Sequence, residues 1–321
     1  MLQHFIKRFL VLIPKLLLIT LIIFFAMELM PGDILTRTMD PETISGLNEA
    51  QLDQLREAMG LNDPAFVRYF RWMGGLFSGN FGYSLNSGTA VAELLAQRLP
   101  ATLYLTAFAL VLSTVIGIGL GFLSAIRKNT PVDYTCSVIG MVGISVPEFF
   151  FGMLFILVFA VQLAWLPSGG RIDGEDLSLW GYIKHMILPA STMSIALVAT
   201  LMRYTRSSML DVMGKDYIKT ARAKGLKDGK VYVKHCFRNG CAPVILLLIG
   251  RLGILISGTT IIETVFNYAG MGSLFVATLI SKDTPVVMTI LMLTSLTVLV
   301  TTFLADVALA MLDPRVRFGE E

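Results

Sequence analysis

The sequence predicts an all-α integral membrane fold with six transmembrane helices, and three observations carry that expectation. Apolar residues make up 55% of the 321 and charged residues only 15%, against about a quarter charged in a soluble chain. Too little charge remains to cover a water-facing surface, so lipid is the expected solvent for much of the chain. Apolar runs recur at the length a helix needs to cross a hydrocarbon core of ~30 Å, about 20 residues at ~1.5 Å each. Within those runs apolar and polar residues do not alternate, which argues against the strands of a barrel.

The first predicted span is Phe9–Met30. His4, Lys7 and Arg8 precede it as in a secretory signal, but a signal's apolar region is only ~7–15 residues and ends at small residues. This run ends at Glu28-Leu-Met-Pro-Gly and reads as an uncleaved helix. The second, Ala101–Ile126, carries no charge. The third, Tyr134–Leu166, contains Pro147 and Glu148 and should kink there. The fourth is Met186–Met202, the shortest, followed by Cys241–Phe266 and Pro285–Leu312. Gly117, Gly119, Gly121, Gly140, Gly143, Gly250, Gly253 and Gly258 punctuate three of the spans. Small residues let helix backbones approach where water cannot drive packing.

Orientation follows from the cations. With the N-terminus inside, segments 1–8, 127–133, 203–240 and 313–321 hold 16 of the 26 Lys and Arg, and the longer outer segments hold 8. That is the positive-inside asymmetry, and it places both termini in the cytosol. The parts are then residues 1–30, a cytosolic start and first helix; 31–100, an extracytoplasmic region; 101–312, a helical core containing the cytosolic loop 203–240; and 313–321, a cytosolic tail. In the outer region, Asn48 with Gln51 predicts an N-capped helix that ends at Gly60 and Pro64. Its Leu52, Leu55 and Met59 share one face. The following Pro64–Phe77 mixes Phe66, Tyr69, Phe70, Trp72, Met73 and Phe77 with Arg68 and Arg71. That suits either an interfacial helix with its aromatic side towards lipid or a small outer subdomain with its own core.

The inner loop 203–240 is the strongest signal. It holds ten Lys and Arg against Asp211, Asp216 and Asp228. Asp216–Lys224 reads as a helix, Gly225 as a break and Lys230–Asn239 as a second helix. Such an elbow suits docking into a partner. A clamp on anionic lipid headgroups is a competing reading; a nucleic-acid patch is not expected on a membrane protein. Gly225-Leu-Lys-Asp-Gly229-Lys230 has three residues between its glycines, and Val231 stands where a phosphate loop needs Ser or Thr. No ATPase is therefore read on this chain.

Here a resemblance enters. Tyr217-Ile-Lys-Thr-Ala-Arg-Ala-Lys-Gly-Leu226, then His235-Cys-Phe-Arg-Asn239 and Pro243-Val244, resembles the cytosolic coupling loop of permeases in binding-protein-dependent ABC importers, most closely the oligopeptide/dipeptide/nickel branch. Pro31-Gly-Asp33, Gly79-Asn-Phe-Gly-Tyr-Ser84, Gly258-Thr-Thr-Ile-Ile-Glu-Thr-Val-Phe266, Asp283-Thr-Pro-Val-Val287 and Leu312-Asp-Pro-Arg-Val-Arg317 are similar to that branch too, so the match runs nearly the full length. Asn80 stands where relatives commonly carry Asp. The resemblance implies a type I ABC importer permease fold and a transport subunit without enzymatic activity of its own. It implies ATPase-coupling roles for Tyr217, Lys219, Thr220, Ala221, Arg222, Ala223, Lys224, Gly225, Leu226, His235, Arg238 and Asn239. The implied partners are a homologous second permease, two cytosolic ATPases that carry the ATP and Mg²⁺, and an extracytoplasmic solute-binding protein. The implied cargo is a short peptide, with nickel or other metal chelates and short sugars as alternatives.

Charges inside the spans mark the expected translocation path: Glu148, Arg251, Glu263 and Asp306. Each is costly in lipid and should face protein or water. Arg251 falls near mid-bilayer on the fifth span, with Glu148, Asp306, a second subunit or an anionic solute group as candidate partners. Glu28 and Glu263 fall near the outer face, where solvation is the first expectation and a gate or docking role the second. His4, His185 and His235 are scattered, and Cys136, Cys236 and Cys241 show no ligand spacing, so no metal site, cofactor or disulfide framework is expected. An ion-coupled secondary transporter would show inverted repeats with broken helices, and no convincing repeat is present. A membrane-anchored receptor would not need glycine-rich inner helices or buried charges.

Overall fold

The computed structural model of the chain describes residues 2–29, 46–58, 60–171, 178–253 and 260–312. Pro31-Gly-Asp33, Met59, Gly258 and the tail 313–321 lie outside them. Among the described residues four helices are long and apolar enough to span: α1 (Leu2–Glu28), α4 (Val91–Ile126), α7 (Leu179–Met213) and α13 (Thr284–Leu312). Between α1 and α4 lie α2 (Glu49–Ala58) and α3 (Ala65–Phe77). Three of the spans outrun their apolar windows, α1 by starting at Leu2 rather than Phe9. α4 starts at Val91 rather than Ala101 and carries Pro100 within it, and α7 runs on to Met213, so Arg203 and Arg206 stand on a helix. Hydropathy registers the lipid-exposed middle of a helix, not its polar ends.

The third span breaks as expected, but far more sharply than a kink. α5 (Pro131–Ser145) meets α6 (Glu148–Phe155, continued by a π-turn segment Ile156–Gln162) at 101°. Val146 is driven to extended backbone, φ −92° and ψ 131°, by the proline that follows. The fifth predicted span divides into α10 (Ala242–Arg251) and α11 (Thr260–Val265), with 254–259 outside the described residues. A short apolar helix, α12 (Met271–Ile280), occupies a stretch the sequence assigned to an outer loop.

α4 and α7 pack as the centre of the bundle, with α5 alongside. A Cβ on Gly121 would fall 2.6 Å from the Met202 carbonyl oxygen, and one on Gly117 3.0 Å from that of Val198. Gly140 and Gly143 of α5 instead meet the side chains of Met202 and Ile195, whereas Gly119 faces open space. The expected close approach is thus made by alternate members of the glycine run. Tyr69 and Met73 of α3 bury against Phe24 and Met27 of α1 and Val287 and Met288 of α13, and the Tyr69 hydroxyl lies 2.8 Å from Thr20 Oγ1. The opposite side of α3 exposes Phe66, Phe70 and Phe77. The buried face of this helix thus packs on two spanning helices rather than on a separate core of the 31–100 region. The predicted cap of α2 is reciprocal: Gln51 N donates to Asn48 Oδ1 at 2.8 Å and Asn48 N to Gln51 Oε1 at 2.9 Å.

Candidate functional site

The basic loop folds as the predicted elbow. Lys215 is extended, and α8 (Asp216–Ala223) starts behind it with Asp216 at its positive end. Gly225 turns the chain at φ +78°, a conformation that glycine adopts without penalty. Its N–H donates to the Arg222 carbonyl at 2.9 Å. The return arm, α9, joins Asp228–Lys230, a π-helical segment Val231–Phe237 and Arg238–Gly240.

One face of the elbow is seated. Ile218, Ala221, Val231 and Cys236 form an apolar cluster with Ala125 of α4 and Met209 of α7. Phe122 meets Phe237 edge to face at 6.0 Å, and Ser208 Oγ of α7 donates to the Gly240 carbonyl at 2.5 Å. Burial pushes the Cys236 thiol up.

The other face is free. Tyr217, Lys219, Thr220, Arg222, Ala223, Lys224, Gly225, Arg238 and Asn239 are exposed, and Leu226 and His235 are half-buried. Lys219 pairs with Asp216 at 2.9 Å; Arg222 pairs with Asp228 at 3.2 Å and lies over the Tyr232 ring. Exposed pairs of this kind contribute little stability. Of the twelve coupling candidates, Ala221 is therefore a seating residue at 9% exposure, and the exposed nine form the outward surface.

The four path candidates part company. Asp306 pairs with Arg8 of α1 at 2.5 Å. Glu263 is not solvated as first expected: it is fully buried, accepting from Thr102 Oγ1 at 2.8 Å and Ser273 N at 3.0 Å, and so ties α4, α11 and α12. The close backbone of Gly270 and Gly272 leaves it this space. Glu148, half-buried at the 101° bend, lies within the electrostatic reach of Arg251, which ends α10 exposed. No ion pair joins them, and Arg251 has none with any other described residue. Glu28 pairs with Arg68 of α3. A cavity of about 420 Å³ lies beside that pair, lined by Phe24, Trp72, Phe81 and Met288 and by no residue of the elbow.

Two polar clusters escaped the sequence reading. Asp133 of α5 joins Arg206 of α7 by paired hydrogen bonds at 2.7 and 2.8 Å. Asp283, buried before α13, accepts from Ser84 Oγ at 2.5 Å and Leu85 N at 3.1 Å. Sequence leaves Asp133 in the inner segment 127–133, before the predicted third span, and gives Arg206 only as one cation among ten, so neither signals its partner.

Residues 117–318 match the family described as binding-protein-dependent transport system inner membrane component, and residues 1–106 match that family's N-terminal membrane component. The chain belongs to this family. It is accordingly the permease subunit of an ABC importer, a multi-pass membrane protein with a transport role rather than a catalytic one. It is 39% identical over 320 residues to the oligopeptide transport system permease protein AppB of Bacillus subtilis (strain 168), covering 99% of this chain and 100% of the relative. It is 35% identical over 319 residues to the glutathione transport system permease protein GsiC of Escherichia coli (strain K12), covering 99% and 100%. In fold it is similar to a chain of the MetNI methionine ABC transporter in inward-facing conformations. That match has a TM-score of 0.57 at 17% identity, over 69% of this chain and 97% of that one. This agrees with the expected type I importer permease fold.

Proposed function

We propose that the chain conducts short peptides into the cell, paired with a homologous second permease, driven by two cytosolic ATPases and supplied by an extracytoplasmic solute-binding protein. ATP and Mg²⁺ belong to the ATPases. Both termini lie in the cytosol, on the side of the elbow. The observation that carries this reading is the elbow itself. Its inner face is bound to the ends of α4 and α7 through Ile218 and Ala221, and its outer face presents Tyr217, Lys219, Thr220, Lys224 and Arg238. A stiff basic surface fastened to two spanning helices suits the transfer of ATPase closure into the membrane. The names of relatives that carry oligopeptides and glutathione support a peptide cargo. Glu148 stands half-buried at the bend and Arg251 exposed at the end of α10, with no ion pair between them, opposite charges that suit a peptide's ammonium and carboxylate ends.

The test is uptake of labelled di- and oligopeptides, metal chelates and short sugars by cells with and without this chain. Loss of peptide uptake alone is expected. Loss confined to chelates or sugars would replace the cargo, and purified protein that moves solute without ATPases would overturn the mechanism.

A further inference from the structure

The buried carboxylate of Asp133 gathers three elements at the cytosolic face. Arg206 Nε and Nη2 of α7 donate to Oδ1 and Oδ2 at 2.7 and 2.8 Å. Ser124 Oγ of α4 donates to Oδ1 at 2.5 Å, and the backbone N–H of Asn129, in the turn between α4 and α5, donates to Oδ2 at 2.9 Å. Every lone-pair direction of the carboxylate is engaged, and a two-pronged guanidinium contact admits one orientation only. A buried ion pair adds little net stability against an apolar pair of similar volume. Stability alone therefore does not account for it; a fixed relative position does.

The elbow bears on the same places. Ala125, which packs on Ile218 and Ala221, is the neighbour of Ser124, and Met209 in the same cluster stands one turn after Arg206. A displacement of α8 thus reaches both helices that hold Asp133. Asp133 in turn begins α5, whose far end is the 101° bend at Glu148. We infer that the Asp133–Arg206 pair is a yoke that makes α5, and the bend beyond it, follow the coupling elbow. Both are positioning residues; neither touches solute. The inference rests on the elbow being the ATPase-docking element.

The experiment uses the whole importer, with its partner permease, ATPases and binding protein, in proteoliposomes, and reads ATP hydrolysis and solute uptake per ATP in each assembled variant. Asp133→Asn and Arg206→Lys are expected to hydrolyse ATP within about twofold of the parent and to lose about tenfold in uptake per ATP, within the usual range of site–site coupling. Asp133→Leu combined with Arg206→Met removes the pair without leaving a buried charge, so it keeps assembly and thermal stability. It is expected to show the same loss. The exchange Asp133→Arg with Arg206→Asp is expected to recover uptake per ATP in part. Parental uptake per ATP in the assembled Leu/Met variant would overturn the yoke and leave the pair a structural clasp. A parent importer without ATP-driven uptake would instead sink the functional reading on which the yoke depends.

Discussion

Ile218→Ala tests whether the elbow works only while it is seated. The helix α8 has eight residues, short of the ~12–15 below which an isolated helix is marginal in water. Its order therefore comes from packing, and Ile218, fully buried among Ala125, Met209 and Val231, is its anchor. Truncating a buried isoleucine to alanine costs about 3 kcal/mol. At ~1.4 kcal/mol per decade, that shifts the balance between seated and detached elbow by about two orders of magnitude. Uptake should fall steeply in membranes containing normal amounts of the protein. Trypsin should cut faster at Arg222, Lys224, Lys227 and Lys230, because a detached arm exposes its backbone. Tyr217→Ala, on the outward face, should weaken ATPase binding without quickening cleavage. Parental uptake and parental cleavage in Ile218→Ala would refute the claim that apolar seating transmits the motion.

Gly225→Ala places a side chain at φ +78° with open space around it, so only the backbone penalty of about 1 kcal/mol applies and uptake should fall modestly. Gly225→Pro cannot adopt that φ and removes the donor to Arg222; uptake should vanish while membrane insertion, read by surface labelling, is kept. Glu263→Ala leaves the Ser273 N–H and the Thr102 hydroxyl without their buried acceptor. Its thermal unfolding in detergent should reveal a loss of about 3 kcal/mol, with a smaller loss for Glu263→Gln, whose amide oxygen still accepts. For the cysteines, burial raises the Cys236 thiol, so at neutral pH the protonated form prevails and the reactive thiolate is scarce. Maleimide in permeabilised membranes should label Cys241, which is partly exposed, before Cys236 or Cys136, which are buried; mass spectrometry of the peptides reads the order.

Composition and hydropathy by themselves determined that lipid surrounds this chain, because 15% charge cannot clothe a water-facing surface. The elbow was legible too, since its parts are local in sequence: a short basic helix, a glycine break and a second basic arm. What stayed hidden depended on residues far apart in sequence. Glu263 looks like an acid near an interface; only folding brings Thr102 and the start of α12 around it. Pro147 announces a break, but 101° is decided by what the two halves pack against. Arg206 counts as one topological cation until α7, α4 and α5 converge and hand it Asp133. Spacing along the chain governs local hydrogen bonds and turns, whereas the pairing of buried charges is a matter of which helices meet, and that is settled only in three dimensions.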